Sequence, residues 1–270
     1  MKKEQLKKTS FLSHLEHLRW HLVYSFLAIF LFTVISFINI KVIFDYFIFS
    51  FLDPKFPTYE FLCSISQTLC LEPIDLKFQN IDLAGQFNMS LLVAFTAGII
   101  FAFPYILWEI WLFIKPGMYK SEKTYAKYLI LSSVFLFVLG ILFGYYLITP
   151  LSLNFLSSYT VSDIIVNDIN FISFVKTITK FILLCGFVFQ FPFIIYFLAK
   201  FNLVSKDFLK NHRKHAFVLV LILASIITPP DVLSQVLISF PLMILYELSI
   251  IVVHFVQKKI KHEIRSCKYY

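Results

Sequence analysis

The chain has 270 residues, of which 59% are hydrophobic, 19% aromatic and only 15% charged. Ordinary soluble domains carry roughly 45–50% apolar and about 25% charged residues, so a single water-soluble core cannot absorb this excess. The formal charge of +8 sits in short basic clusters between apolar blocks rather than in a basic domain, which argues against a nucleic-acid partner.

A helix of about 20 mostly apolar residues crosses a hydrocarbon layer of roughly 30 Å, and that length sets the reading of the chain. Residues 1–19 are basic and place Phe11, Leu15 and Leu18 at helical spacing, which predicts an amphipathic helix on the inner surface and no cleaved targeting peptide. The first span is expected at 20–40. Residues 41–82 carry Asp53, Glu60, Glu72 and Asp75 with Pro54, Pro57 and Pro73, and read as an outer loop capping the spans. The second span, 83–113, contains Pro104 and is expected to kink there. After the inner loop 114–127, the third span covers 128–149 and stops at Pro150, opening a second outer loop at 150–171. The fourth span is 172–199 with Pro192 inside it, and 200–214 is a short basic inner loop. The fifth span, 215–228, has an apolar part that covers only roughly 18 Å at about 1.5 Å per residue. The turn 229–231 returns the chain through a sixth span at 232–254 to an inner tail at 255–270, with a re-entrant hairpin as the competing reading of this last pair. The expected fold is an all-α integral membrane protein, one membrane domain over 1–270 with six transmembrane helices, the last two short.

Orientation follows from the basic residues, which are retained in the cytoplasm when they flank a span. With both termini inside, the inner segments hold 19 of the 24 Lys and Arg residues, and the outer side holds Lys41, Lys55, Lys77, Lys176 and Lys180. An odd number of spans would put the two basic ends on opposite sides, so six is favoured.

Few residues offer chemistry. Of the four cysteines, Cys63 and Cys70 share the first outer loop, where an oxidising compartment permits a disulfide; two free thiols remain the other reading, because spacing alone does not bring the pair within bonding distance. His14, His17 and His21 share one side of the first helix, but no further ligands at zinc spacing accompany them, so a solvated face is preferred to a metal site. No HExxH, GxSxG or P-loop sequence occurs, and neither an enzyme nor a cofactor is expected. A charge inside a span costs about 2.5–3.5 kcal/mol on insertion scales, so Glu109, Gln190 and Glu247 each call for a reason. For the two acids that reason is a pair within the bundle, snorkelling, or function. For Gln190 it is an interhelical hydrogen bond or the docking of another helix.

Three segments, in order, carry a resemblance. They are His14-Leu15-Glu16-His17-Leu18-Arg19 before the first span, Trp111 to Glu122 running into the first inner loop, and Thr228 to Gln235 at the last outer turn, continued by Pro241 and Leu245-Tyr246-Glu247. Together with six spans and inner termini they resemble the TatC family, the multispanning receptor subunit of the twin-arginine protein translocase. The resemblance covers the chain nearly end to end.

That resemblance implies a Sec-independent translocase subunit in a bacterial cytoplasmic (inner) membrane. It would bind signal peptides bearing two adjacent arginines and export folded proteins using the proton-motive force. The implied partners are those peptides, single-span TatA/TatB-type subunits, further copies in a homo-oligomeric complex, and lipid. Glu122 takes the family's acidic position in the first inner loop, and Glu16, His17, Arg19 and Phe113 fall at the remaining signal-peptide positions. The amino-terminal motif departs from the family at His17, where a second Glu is usual. Three outcomes are open: Glu16 substitutes by a small rotation, an acid elsewhere serves, or Glu122 acts nearly alone. Gln190 matches a polar position that contacts a partner helix, while Pro116, Asp231, Gln235 and Glu247 match other family positions. A secondary transporter of a small solute is the alternative, since polytopic spans kinked at Pro104 and Pro192 also suit alternating access.

Overall fold

A computed structural model describes residues 11–65, 78–115, 120–158, 169–200, 203–227 and 232–267. Nearly all of it is helix: α1 (Phe11–Ile38), α2 (Ile40–Ile43), α3 (Pro57–Ile65), α4 (Gly85–Ile114), α5 (Lys120–Phe143), α6 (Thr149–Ser158), α7 (Phe171–Val188), α8 (Phe191–Lys200), α9 (Lys206–Asn211), α10 (Arg213–Ile227) and α11 (Val232–Cys267). Among the described residues five stretches are long and apolar enough to cross a membrane: Glu16–Ile38, Gly85–Ile114, Tyr128–Ser158, Phe171–Lys200 and Ile238–Phe255. The fifth expected span, α10, has 15 residues and covers about 22 Å, too short to cross the layer unaided.

Two compact units make up the chain: Met1–Ile40 with Ser90–Val134, and Lys41–Met89 with Phe135–Tyr270. In the first, α1 and α4 run antiparallel. Gly98 marks their close approach, because a Cβ there would lie 2.2 Å from Thr33 Oγ1 and 2.8 Å from the Thr33 backbone nitrogen. Phe32 packs near Phe101 on the same seam. The other faces of α1 leave Phe26 at 70% and Phe30 at 62% exposed. In water each such ring would forgo about 1.5–3 kcal/mol of burial, so these faces belong against lipid.

The second unit is built on α7, α8, α10 and α11, whose Phe181, Cys185, Phe189, Ala224, Ile238 and Leu242 form a buried cluster with Ile148. The upper part of α5 packs on α7 through small residues. A Cβ on Gly140 would come within 2.7 Å of Cys185 O, and one on Gly144 within 3.0 Å of Cys185 Cβ. This Gly-x-x-x-Gly spacing is the kind that lets helices approach closely in membranes.

The third span does not stop at Pro150. A π-turn, Gly144–Ile148, follows α5, and Thr149 donates its backbone N–H back to Gly144 O. The helix then continues as α6 to Ser158, beyond the expected boundary. Proline lacks the N–H that would bond the carbonyl of residue 146, and here the Thr58 hydroxyl of α3 donates to Tyr146 O instead. The segment leading into α3 thereby forms a cap over the span. Phe51, Phe56 and Tyr59 are buried in it, with Tyr145 packed on the first two rings. Tyr59 donates to Phe51 O at 3.1 Å, and burial pushes its phenol up to about 12. A two-residue parallel pair, β1 (Phe78–Gln79) with β2 (Ile169–Asn170), ties the two outer loops together. The Asn170 side chain then caps α7 by accepting from Ile172 N at 2.8 Å.

Two other expected boundaries shift. The fourth span is broken rather than merely kinked: α7 ends at Val188 and α8 begins at Phe191, with Pro192 in the first turn of α8, where its missing donor is harmless. The expected inner tail is helical as far as Cys267, as the outward continuation of α11.

Candidate functional site

In the first unit the polar groups gather at one end of the α1–α4 pair. Glu109 is only 6% exposed, and such a carboxylate requires donors. His21 Nδ1 lies 2.6 Å from Glu109 Oε2, and the Tyr105 hydroxyl hydrogen-bonds the same carboxylate from one turn earlier on α4. The His21 ring also meets Phe113 edge-on at 6.3 Å. Two residues before Phe113, Trp111 is buried with Lys115 Nζ 4.8 Å from its ring centroid, an arrangement that favours the cation. Trp111 Nε1 has no hydrogen-bond partner among the described residues.

One turn before His21 stands His17, on the same side of α1, and Glu16, His17 and Arg19 are all exposed. Glu16 differs from His17 by about 100° in direction, so the two do not offer one surface. Glu122 falls in the first turn of α5, but its side chain, like Pro116, lies outside the described residues.

The remaining candidates lie in the second unit. Glu247 on α11 accepts from Arg213 Nη2 at 2.7 Å, an ion pair about half exposed on each side that holds the start of α10 to α11. Gln235 donates through Nε2 to Leu221 O at 3.1 Å, joining the same two helices. Gln190 occupies the break between α7 and α8 and is 7% exposed. Its backbone N–H bonds Phe187 O, and its carbonyl accepts from Phe193 N and Ile194 N. Cys63 on α3 is disulfide-bonded; Cys70 and Asp231 lie outside the described residues.

Both acids thus have basic partners, Glu109 in a largely buried pair and Glu247 in one that is half exposed. Sequence reasoning allowed for pairing but missed the partners, which lie 88 and 34 residues away along the chain. The histidine stripe was the available signal: its third member faces a carboxylate, not solvent.

Comparison with known proteins supplies the remaining context. A family model described as Sec-independent protein translocase protein (TatC) matches residues 13–241. A TatC of Blattabacterium sp. subsp. Periplaneta americana (strain BPLAN) is 38% identical over 95% of this chain and 99% of its own length. One from Carboxydothermus hydrogenoformans is 33% identical, over 94% of this chain and 96% of the relative. A crystal structure of a TatC described as a twin-arginine translocase receptor superposes with a TM-score of 0.71 at 27% identity, over 90% of this chain and 99% of that one. The family assignment leaves the small-solute transporter reading without support, and the chain belongs to the TatC family, as a multi-pass α-helical subunit of the Sec-independent protein translocase.

Proposed function

We propose that this chain receives signal peptides with two adjacent arginines at its cytoplasmic face. With small single-span subunits, and as part of a larger oligomer, it passes folded cargo across the bacterial inner membrane at the expense of the proton-motive force. One observation carries the receptor reading. The exposed amino end of α1, with Glu16, His17 and Arg19, belongs to the same compact unit as the first turn of α5, where Glu122 falls. Phe113, near the end of α4 in that unit, meets the His21 ring of α1 edge-on. A guanidinium bonds a carboxylate in two parallel hydrogen bonds, which a lysine cannot do, so acids at this face select arginine from a basic background. The solved relative's description as a twin-arginine receptor supports the same reading.

Orientation rests on the charge asymmetry, with 19 of 24 basic residues assigned to the inner segments. The disulfide at Cys63 agrees with it, since an oxidising compartment sustains such a bond; Cys70 is its proposed partner. Gln190 is the proposed docking point for a partner helix. Because it is almost covered by its own unit, that helix would pack over the α7–α8 break and contact the amide from its edge.

The test of the receptor role is binding of a twin-arginine peptide to the Glu122→Gln chain at physiological salt. Losing one charge-assisted pair should weaken binding by about tenfold or more. Wild-type affinity in that variant would remove Glu122 from recognition.

A further inference from the structure

We infer that Glu109 is the second arginine-binding carboxylate, held in reserve by His21, which an incoming guanidinium displaces. The inference rests on the receptor reading above and adds to it the residue that meets the second arginine.

Two adjacent guanidinium groups are best held by two carboxylates, and position 17 offers an imidazole instead. Among the described residues of the first unit, Glu109 is the acid on the same side as His17: its partner His21 sits one turn further along that face of α1. Its pairing is unusual for a buried charge. Among the described residues His21 is the only basic group within ion-pair distance, at 2.6 Å, and the other donor is the neutral Tyr105 hydroxyl. An imidazole offers this carboxylate a single N–H, whereas a guanidinium offers two in a fixed fork. The exchange therefore replaces one hydrogen bond with a bidentate, permanently charged pair.

Access fits as well. Glu109 lies five residues from the end of α4 at Ile114, about 7 Å along the axis, which an arginine side chain can reach from the helix end. The histidine side chain is 24% exposed against 8% for the glutamate, so His21 is the group between the carboxylate and the outside. The Phe113 ring beside it supplies a flat apolar wall for the guanidinium face.

The experiment measures four peptides against the full chain in lipid nanodiscs: one with two arginines, two with one arginine changed to lysine, and one with two lysines. In Glu109→Gln the two-arginine peptide should weaken by about tenfold or more, and one single-lysine peptide should then bind as well as it does. Unchanged affinity, or equal weakening of all four peptides, overturns the inference. Should that variant fail to accumulate, His21→Arg serves in its place, because an internal guanidinium occupies Glu109 permanently. It should give the same selective loss, and unchanged binding overturns the inference. A wild-type chain that binds the two-lysine peptide as tightly as the two-arginine one overturns the receptor reading itself, and with it this site.

Discussion

At the residue scale, one hydroxyl decides how the third span ends. Pro150 removes the N–H that an α-helix would aim at the carbonyl of Tyr146, and Thr58, from a loop 88 residues earlier, donates to that carbonyl instead. Losing a hydrogen bond at this part-buried carbonyl costs about 0.5–1.5 kcal/mol, so Thr58→Val should lower stability by roughly that amount, read by thermal unfolding in detergent. The variant Pro150→Ala restores a backbone donor at the same carbonyl. In that background Thr58→Val should cost about half as much or less, a coupling that a double-mutant cycle measures; additive losses would show that the hydroxyl and the proline act separately. Nothing local in the sequence betrays this link. A proline after an apolar run reads as a stop, and only the distant threonine together with the π-turn lets the helix run on to Ser158. The same holds for Glu109 and Glu247, whose need for partners was legible from their place in apolar segments while the identities of His21 and Arg213 were not. Spacing along one helix reveals neighbours on that helix; which residue a second helix presents depends on crossing and rotation.

At the scale of elements, the long apolar stretches were legible because bilayer thickness fixes their length and composition. Their interruptions were less so. Pro192 sits in the first turn of α8 and marks a break in the helix, whereas Pro104 lies within a continuous α4; each follows an equally apolar run in the sequence. What separates them is the backbone at Phe189 and Gln190, where the carbonyl of Gln190 accepts from Phe193 N and Ile194 N in the first turn of α8. The packing of α5 on α7 had a readable signal in the Gly140 and Gly144 pair, since four-residue spacing of glycines puts both on one helical face. The two positions differ in what they meet. A Cβ at Gly140 strikes the backbone carbonyl of Cys185 at 2.7 Å, whereas at Gly144 the nearest atom is the Cys185 side chain at 3.0 Å. The approach at Gly140 is the closer of the two, so Gly140→Ala should cost more than Gly144→Ala, with overpacking of about 1–3 kcal/mol at the first. Thermal unfolding of the two variants side by side tests the ranking, and the reverse order would mean that α7 shifts as a body to accommodate either methyl.

At the scale of the whole molecule, the proposed orientation decides which face would bind cargo, and it is open to direct test. In the proposed orientation the cytoplasmic segments hold 19 of the 24 basic residues together with Glu16 and Glu122, so a few acids would act within a strongly positive surround. Such a field repels a stray arginine at long range, with screening over about 8 Å at physiological ionic strength, and leaves recognition to close, directed contacts. Selectivity for two arginines over two lysines is then a property of paired carboxylates rather than of net charge, and it should survive raised salt better than non-selective attraction to the surface does. The same proposal assigns the buried aromatic cluster of Phe51, Phe56 and Tyr59 and the disulfide-bonded Cys63 to outer segments. A single reactive thiol on each side distinguishes this arrangement from its inverse. With Cys267 replaced by serine, Asp82→Cys in the exposed stretch before α4 should react with a membrane-impermeant maleimide in intact cells. Lys210→Cys on the exposed side of α9 should react only after permeabilisation. Labelling in the opposite order would place the acids outside, beyond reach of cargo made in the cytoplasm, and the receptor role would have to move to the capped face.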